Sequence, residues 1–131
     1  CSVCRVFSLH SFHVHRDFTG QFKTFLLNTA AYRNRIMLHR GSSDAMLPLL
    51  QARLRFAYID GDHSGEAVTR DIDAIWPLML PGGLVLFDDY LWQRDIPADS
   101  KPKDAIDTWV ALHAAELDVV AVSYQYLVRK K

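Results

Sequence analysis

Short, continuously apolar runs alternate with longer stretches in which apolar side chains return every three or four positions, and this continues along the whole chain. The first pattern suits strands and the second amphipathic helices, so the alternation predicts βα units and a mostly parallel sheet. "CRVFSL" reads as a strand. "FTGQFKTFLLNTAAY" reads as a helix carrying Phe18, Phe22, Phe25 and Leu26 at helical spacing, and "RIMLHR" as a second strand. Gly41 then turns the chain, and Ser42 or Ser43 caps a short helix with Asp44 on the positive end of its dipole. "RFAYI" is predicted to be a central strand buried on both faces. The helix after it lines up Val68, Ile72, Ile75, Trp76 and Met79 on one side and pairs Glu66 with Arg70 on its polar face. Pro81, Gly82 and Gly83 form a turn before the strand "LVLF", and a further helix runs from about Ala105 to Ala115. The tail "LDVVAVSYQYLVRK" is β-rich and fits either one long strand or a tight hairpin.

At 131 residues the chain is one domain's worth, read as a single domain over residues 1–131. Half of its residues are hydrophobic and its formal charge is zero, which sets aside a disordered chain and gives no electrostatic footprint for nucleic acid. No apolar run reaches the roughly 18–20 residues that span a bilayer, and no secretory signal pattern opens the chain. The expectation is a soluble cytoplasmic protein with a small-molecule partner. Cys1 and Cys4 form a lone CxxC with no second pair to complete a tetrahedral site. His10, His13 and His15 alternate along an extended segment and read as a surface loop rather than a metal site.

The acids change this picture. "YIDGDH" puts Asp60, Asp62 and His63 directly after one strand, and "LFDDY" puts Asp88 and Asp89 directly after another. Ligands of open α/β sheets sit beyond the carboxyl ends of the strands, and sequential βαβ strands are often neighbours, so these carboxylates are expected to share one pocket. Clustered carboxylates repel one another unless something positive lies between them. A hard, oxygen-preferring cation such as magnesium, manganese or calcium is the economical answer, with water or substrate completing its shell. His63 either bonds a ligand or orients an aspartate.

With these residues in view, "YIDGDHSGEAVTRDIDAIWPLMLPGGLVLFDDY", preceded by "FLLNTAAYRNRIMLHRGSSDAMLPLL", resembles the class I S-adenosylmethionine-dependent methyltransferases. It is most similar to the metal-dependent sugar O-methyltransferases of the macrocin and mycinamicin type, over about Val6 to Tyr90. The resemblance implies a Rossmann-like α/β sheet with helices on both faces. It also implies S-adenosylmethionine and Mg2+ as cofactors, and a hydroxylated small molecule such as a sugar as methyl acceptor. By matching positions, Asp60, Asp88 and Asp89 correspond to the magnesium ligands and Asp62 to the general base. Gly41 and Ser43 match the segment against the cofactor's adenine, and His63 is assigned to the cofactor side as well.

Two departures accompany the resemblance. The glycine-rich first βα turn of the family belongs before "CRVFSL", and the acid that usually ends the second strand is replaced by His10 or Ser11 in "VFSLHSF". The chain is therefore expected to be a partial domain, the C-terminal two thirds, lacking the first βα unit. On its own it is expected to transfer no methyl group and to be prone to self-association as a homo-oligomer. Two other readings compete: a glycosyltransferase that holds a nucleotide sugar through its DxD, and a degenerate methyltransferase fold acting as a non-catalytic partner subunit.

Overall fold

The computed structural model describes residues 6–8, 18–39, 41–92 and 101–131. Cys1, Cys4, His10, Ser11, His13 and His15 lie outside the described residues. The chain divides into two compact units, Cys1–Met46 and Leu47–Lys131.

In the first unit, strand β1 (Val6–Ser8) pairs in parallel with β2 (Ile36–Leu38), Val6 lying opposite Ile36. Between them runs helix α1 (Phe18–Thr29), which tightens into a 3-10 stretch over Ala30–Arg35. The α-helix thus ends before Tyr32, where the side-chain hydroxyl of Thr29 donates to the Phe25 carbonyl at 2.7 Å, a bond of the kind that competes with regular helix geometry. Helix α2 (Ser43–Met46) starts from Ser42, whose carbonyl accepts from Ala45 and Met46 N–H, both at 3.1 Å. Gly41 precedes it at φ +157°, and a Cβ there would come within 3.1 Å of the Met46 side chain.

The second unit is a four-stranded sheet in the order β3-β4-β6-β5, made of β3 (Leu54–Ile59), β4 (Met79–Phe87), β5 (Leu117–Val122) and β6 (Tyr126–Lys130). β3 and β4 are parallel, whereas β4/β6 and β5/β6 are antiparallel. The tail is therefore a hairpin, closed by the Ser123 N–H donating to the Gln125 carbonyl at 2.8 Å. The sheet is less parallel than the sequence suggested. "RFAYI" also departs from expectation: β3 is an edge strand, and Phe56 and Tyr58 are exposed rather than buried. Among the described residues no strand pairs with its outer edge.

Helix α3 (Gly65–Ile75) is capped by Ser64, whose side chain accepts from Ala67 N–H at 3.3 Å, and it buries Val68, Ile72 and Ile75. Trp76 and Met79 are buried too, but beyond the helix: Pro77 cannot continue an α-helical ladder, so a 3-10 turn spans Trp76–Leu78 and Met79 opens β4. The expected Pro81-Gly82-Gly83 turn lies inside β4 as a bulge. Leu54 pairs with Met79, but Phe56 already pairs with Leu84, and the extra residues on β4 loop out with Gly82 at φ +77°. Helix α4 (Pro102–Leu112) starts and stops earlier than its apolar spacing implied, with Pro102 at its favourable first position and His113 N–H closing onto the Trp109 carbonyl.

α3 and α4 pack on each other, and α4 reaches the sheet through Trp109, whose ring sits 6.2 Å from that of Phe87. Under them lie Ala57, Ile59, Val85, Phe87, Tyr126 and Val128, all buried. The tryptophans carry polar partners into this core. Trp109 Nε1 donates to Asp73 at 2.9 Å and Trp76 Nε1 to Glu116 at 3.0 Å, so neither indole N–H is buried unsatisfied.

Candidate functional site

The parallel register sets the site. Ile59 pairs with Phe87, and Asp88 N–H donates to the Ile59 carbonyl at 2.9 Å, so the loops that leave β3 and β4 begin side by side. Asp60 and Asp62 stand on the first loop, Asp88 and Asp89 on the second. One ligand atom from each of Asp60, His63 and Asp89 lies within 4.8 Å of the others. His63 Nδ1 is 3.3 Å from Asp89 Oδ2, and its ring is tilted against Trp92 with centroids 5.0 Å apart.

The two neighbouring aspartates are held differently. Asp88 accepts from the Tyr58 hydroxyl through Oδ2 and from Gln125 Nε2 through Oδ1 at 2.8 Å. Partial burial works against its ionisation, but these hydrogen bonds prevail and hold its carboxyl below the usual value. The same contact, with help from burial and from Asp60, pushes the Tyr58 hydroxyl well above the ordinary tyrosine value. Asp89 sits at φ +51°, a left-handed backbone uncommon outside glycine, and its Oδ1 accepts from the Tyr124 hydroxyl at 2.7 Å. That bond raises the Tyr124 pKa. Asp62 turns back on its own chain, Oδ1 accepting Ser64 N–H at 2.9 Å, which fixes the carboxylate at the entrance to α3.

The structure therefore brings together Asp60, Asp89 and His63, turns Asp88 toward Tyr58 and Gln125, and holds Asp62 at the head of α3. Gly41 and Ser43 lie in the first compact unit. Tyr58, Tyr124 and Gln125 were not found by the sequence reading. Tyr58 could have been: it lies two residues before Asp60, on the same side of β3 as its loop-facing alternates. Tyr124 and Gln125 required knowing that the tail folds back as a hairpin.

Donor chemistry fits a divalent cation at this point. The two carboxylates, with ligand atoms within 4.8 Å of each other and of the imidazole, suit a hard cation such as magnesium or manganese with water filling the remaining positions, while His63 offers either a nitrogen ligand or a partner that orders Asp89.

Residues 2–90 match the family model described as "Methyltransferase domain", and the chain belongs to that family. No curated protein matches it. Among solved structures it is similar to the O-methyltransferase TomG from Streptomyces achromogenes, involved in tomaymycin synthesis and determined with SAM: TM-score 0.71, 15% identity, covering 97% of this chain and 62% of that one. Cofactor-bound Rv0187 from MTB gives TM-score 0.66 at 20% identity, covering 96% and 61%. The MycE methyltransferase of the mycinamycin pathway, determined with Mg, SAH and mycinamycin VI, gives 0.65 at 14% identity, covering 98% and 45%. The fold is thus the Rossmann-like α/β fold of class I methyltransferases, and this chain spans less than two thirds of the length of those structures. The family match gives no support to a nucleotide-sugar glycosyltransferase.

Proposed function

We propose that the protein is an S-adenosylmethionine-dependent O-methyltransferase that uses a divalent cation, magnesium in the first instance, and acts on a hydroxyl of a small molecule such as a sugar. The observation that carries the reading is the convergence of Asp60, His63 and Asp89 at the carboxyl ends of adjacent parallel strands in a chain of the methyltransferase family.

In this reading Asp60 and Asp89 hold the cation, His63 completes or orders the set, and Asp88, assigned to the metal by resemblance, stands behind Asp89. S-adenosylmethionine supplies the electrophilic methyl group, and the cation supplies Lewis acidity that lowers the pKa of a bound hydroxyl. Asp62 would act as the base toward an acceptor hydroxyl, and the Ser64 N–H bond to its Oδ1 holds the carboxylate in one orientation for that role. Trp92 packs its ring against that of His63, with centroids 5.0 Å apart, and so limits the orientations the imidazole can take. Gly41 and Ser43 are proposed for the cofactor's adenine from their match to the family's "RGSSD" turn. The macrocin and mycinamicin likeness of the sequence supports a sugar-type acceptor, and the mycinamycin VI held by the structurally similar MycE supports a small-molecule one.

The full-length gene product is tested for methyl transfer from S-adenosylmethionine to a panel of small diols, with and without chelator. The expected result is transfer that stops on metal removal and returns with Mg2+. Equal rates in chelator overturn the metal mechanism, and calorimetric binding of a nucleotide sugar but not of S-adenosylmethionine overturns the methyltransferase reading.

A further inference from the structure

We infer that Tyr124 and Gln125, on the β5–β6 hairpin, are positioning residues for the Asp88-Asp89 pair, setting Asp89 to face Asp60 and His63 while Asp88 anchors the loop. The inference rests on the divalent-cation reading of the site and extends it beyond the segment that matches the family model, which ends at residue 90.

Neighbouring residues on one loop have side chains that leave the backbone in different directions, so which carboxylate faces the cluster must be decided by something else. Here the partners decide it. Both oxygens of Asp88 accept hydrogen bonds, from Tyr58 and Gln125, and a carboxylate so engaged is braced. Asp89 uses one oxygen only for the hairpin: Tyr124 donates to Oδ1 at 2.7 Å, and Oδ2 is the atom 3.3 Å from His63 Nδ1. A hydrogen bond to one carboxylate oxygen fixes the rotation of the group and hence the direction of the other. The left-handed backbone at Asp89, φ +51°, costs free energy and persists only where surroundings hold it. The hairpin supplies that restraint from the main chain as well, through Leu91 N–H donating to the Tyr124 carbonyl at 3.4 Å, alongside the Trp92 N–H bond to the Asp89 carbonyl at 2.8 Å. The turn is itself ordered, since Ser123 N–H donates to the Gln125 carbonyl at 2.8 Å.

Partners that orient a metal ligand commonly contribute about 10- to 100-fold to metal affinity. The test is a Mn2+ titration of the full chain followed by electron paramagnetic resonance, with thermal melting of the same samples. Tyr124→Phe removes only the exposed hydroxyl, so its metal-free melting temperature should stay close to that of the wild type, while Mn2+ affinity drops about tenfold. Gln125→Ala should lower affinity less, because Asp88 keeps Tyr58. A role in fold stability alone would move the melting temperature and leave the affinity of the folded fraction unchanged. Tyr124→Phe that binds Mn2+ within about twofold of wild type overturns the inference by itself. Wild-type protein that binds no Mn2+ overturns the cation reading together with it.

Discussion

The two faces of the four-stranded sheet are built by alternate residues of the same strands. On the helix side Val85 and Val128 are 0% exposed and Phe87 1%; on the other side Phe56 is 55% and Tyr58 47% exposed. Chemically the two sets are alike. Leu84 and Leu86 continue the second set along β4 as Val85 and Phe87 continue the first. What separates them is the α3–α4 layer, which packs Trp109 against Phe87. An apolar residue on a strand is an offer of burial; the stabilisation is realised only where a second layer removes it from water.

The largest expected effect tests this contrast directly. Phe87→Ala should lower unfolding free energy by about 3–5 kcal/mol, the transfer loss plus a cavity in a site closed by Trp109. Phe56→Ala, of the same chemistry on the open face, should change it by about 0.5 kcal/mol or less. Urea unfolding of both variants gives the two numbers, and comparable losses would mean that the open face is packed in solution.

The same contrast recurs within the β4 bulge. A Cβ on Gly83 would come 2.8 Å from the Leu80 carbonyl oxygen and 3.3 Å from that of Leu54, both backbone atoms with little room to yield. A Cβ on Gly82 would meet nothing within 4 Å, and only its φ of +77° resists substitution. Gly83→Ala should therefore cost about 1–3 kcal/mol through overpacking, and Gly82→Ala about 1–2 kcal/mol through backbone strain alone. Replacing Gly82 by Asn, which tolerates this conformation, should recover part of that loss, whereas Gly83→Asn should recover none; thermal melts of the four variants provide the check.

These cases also show what the sequence made legible. The β3 and β4 strands, the apolar side of α3 and the strand-then-acid pattern at Asp60 and Asp88 were all visible, because each depends on side-chain periodicity or on residues adjacent in the chain. The edge position of β3 was not, because an apolar run reads the same whether or not a neighbour covers it. Pro81-Gly82-Gly83 signalled a break correctly but not that the strand would resume its register around a bulge. At the site, the convergence of the two acidic loops followed from strand order. The division between Asp88 and Asp89 did not, since it depends on Tyr124 and Gln125, which lie 35 and 37 residues from the aspartates they bond.

A smaller effect probes the layer that covers the buried face. Ser64 caps α3 through its side chain, and the helix depends on that cap for one of its first-turn N–H groups. Ser64→Ala should lower stability by about 1 kcal/mol, and Ser64→Asp, which keeps an acceptor at the positive end of the dipole, should restore most of it. A loss from Ser64→Ala as large as that from Phe87→Ala would indicate that α3 is held by its cap rather than by the sheet.

The smallest expected effect compares a tyrosine from each face. The Tyr126 hydroxyl is raised above its ordinary value of 10.0 mainly by burial, with Asp107 and Tyr90 adding to it, and its ring packs edge-on against Tyr90 at 4.9 Å. Tyr58, on the open face, is raised mainly by its hydrogen bond to Asp88. In both, the folded pKa lies above the unfolded one, so the contribution to stability is fully present below about pH 10 and is lost as pH rises through the folded value, where the unfolded chain has already released the proton. Stability should therefore decline on the alkaline side, and Tyr126→Phe and Tyr58→Phe should each make that decline shallower. The two causes respond differently to a second change. Asp88→Asn removes the charge that Tyr58 bonds to and should return Tyr58 toward its ordinary value while leaving Tyr126, which owes its shift to burial, where it was. Ultraviolet titration of tyrosine ionisation in the folded protein reads this out; a shift of Tyr126 on Asp88→Asn would show that the covered and open faces are electrostatically joined through the sheet rather than separated by it.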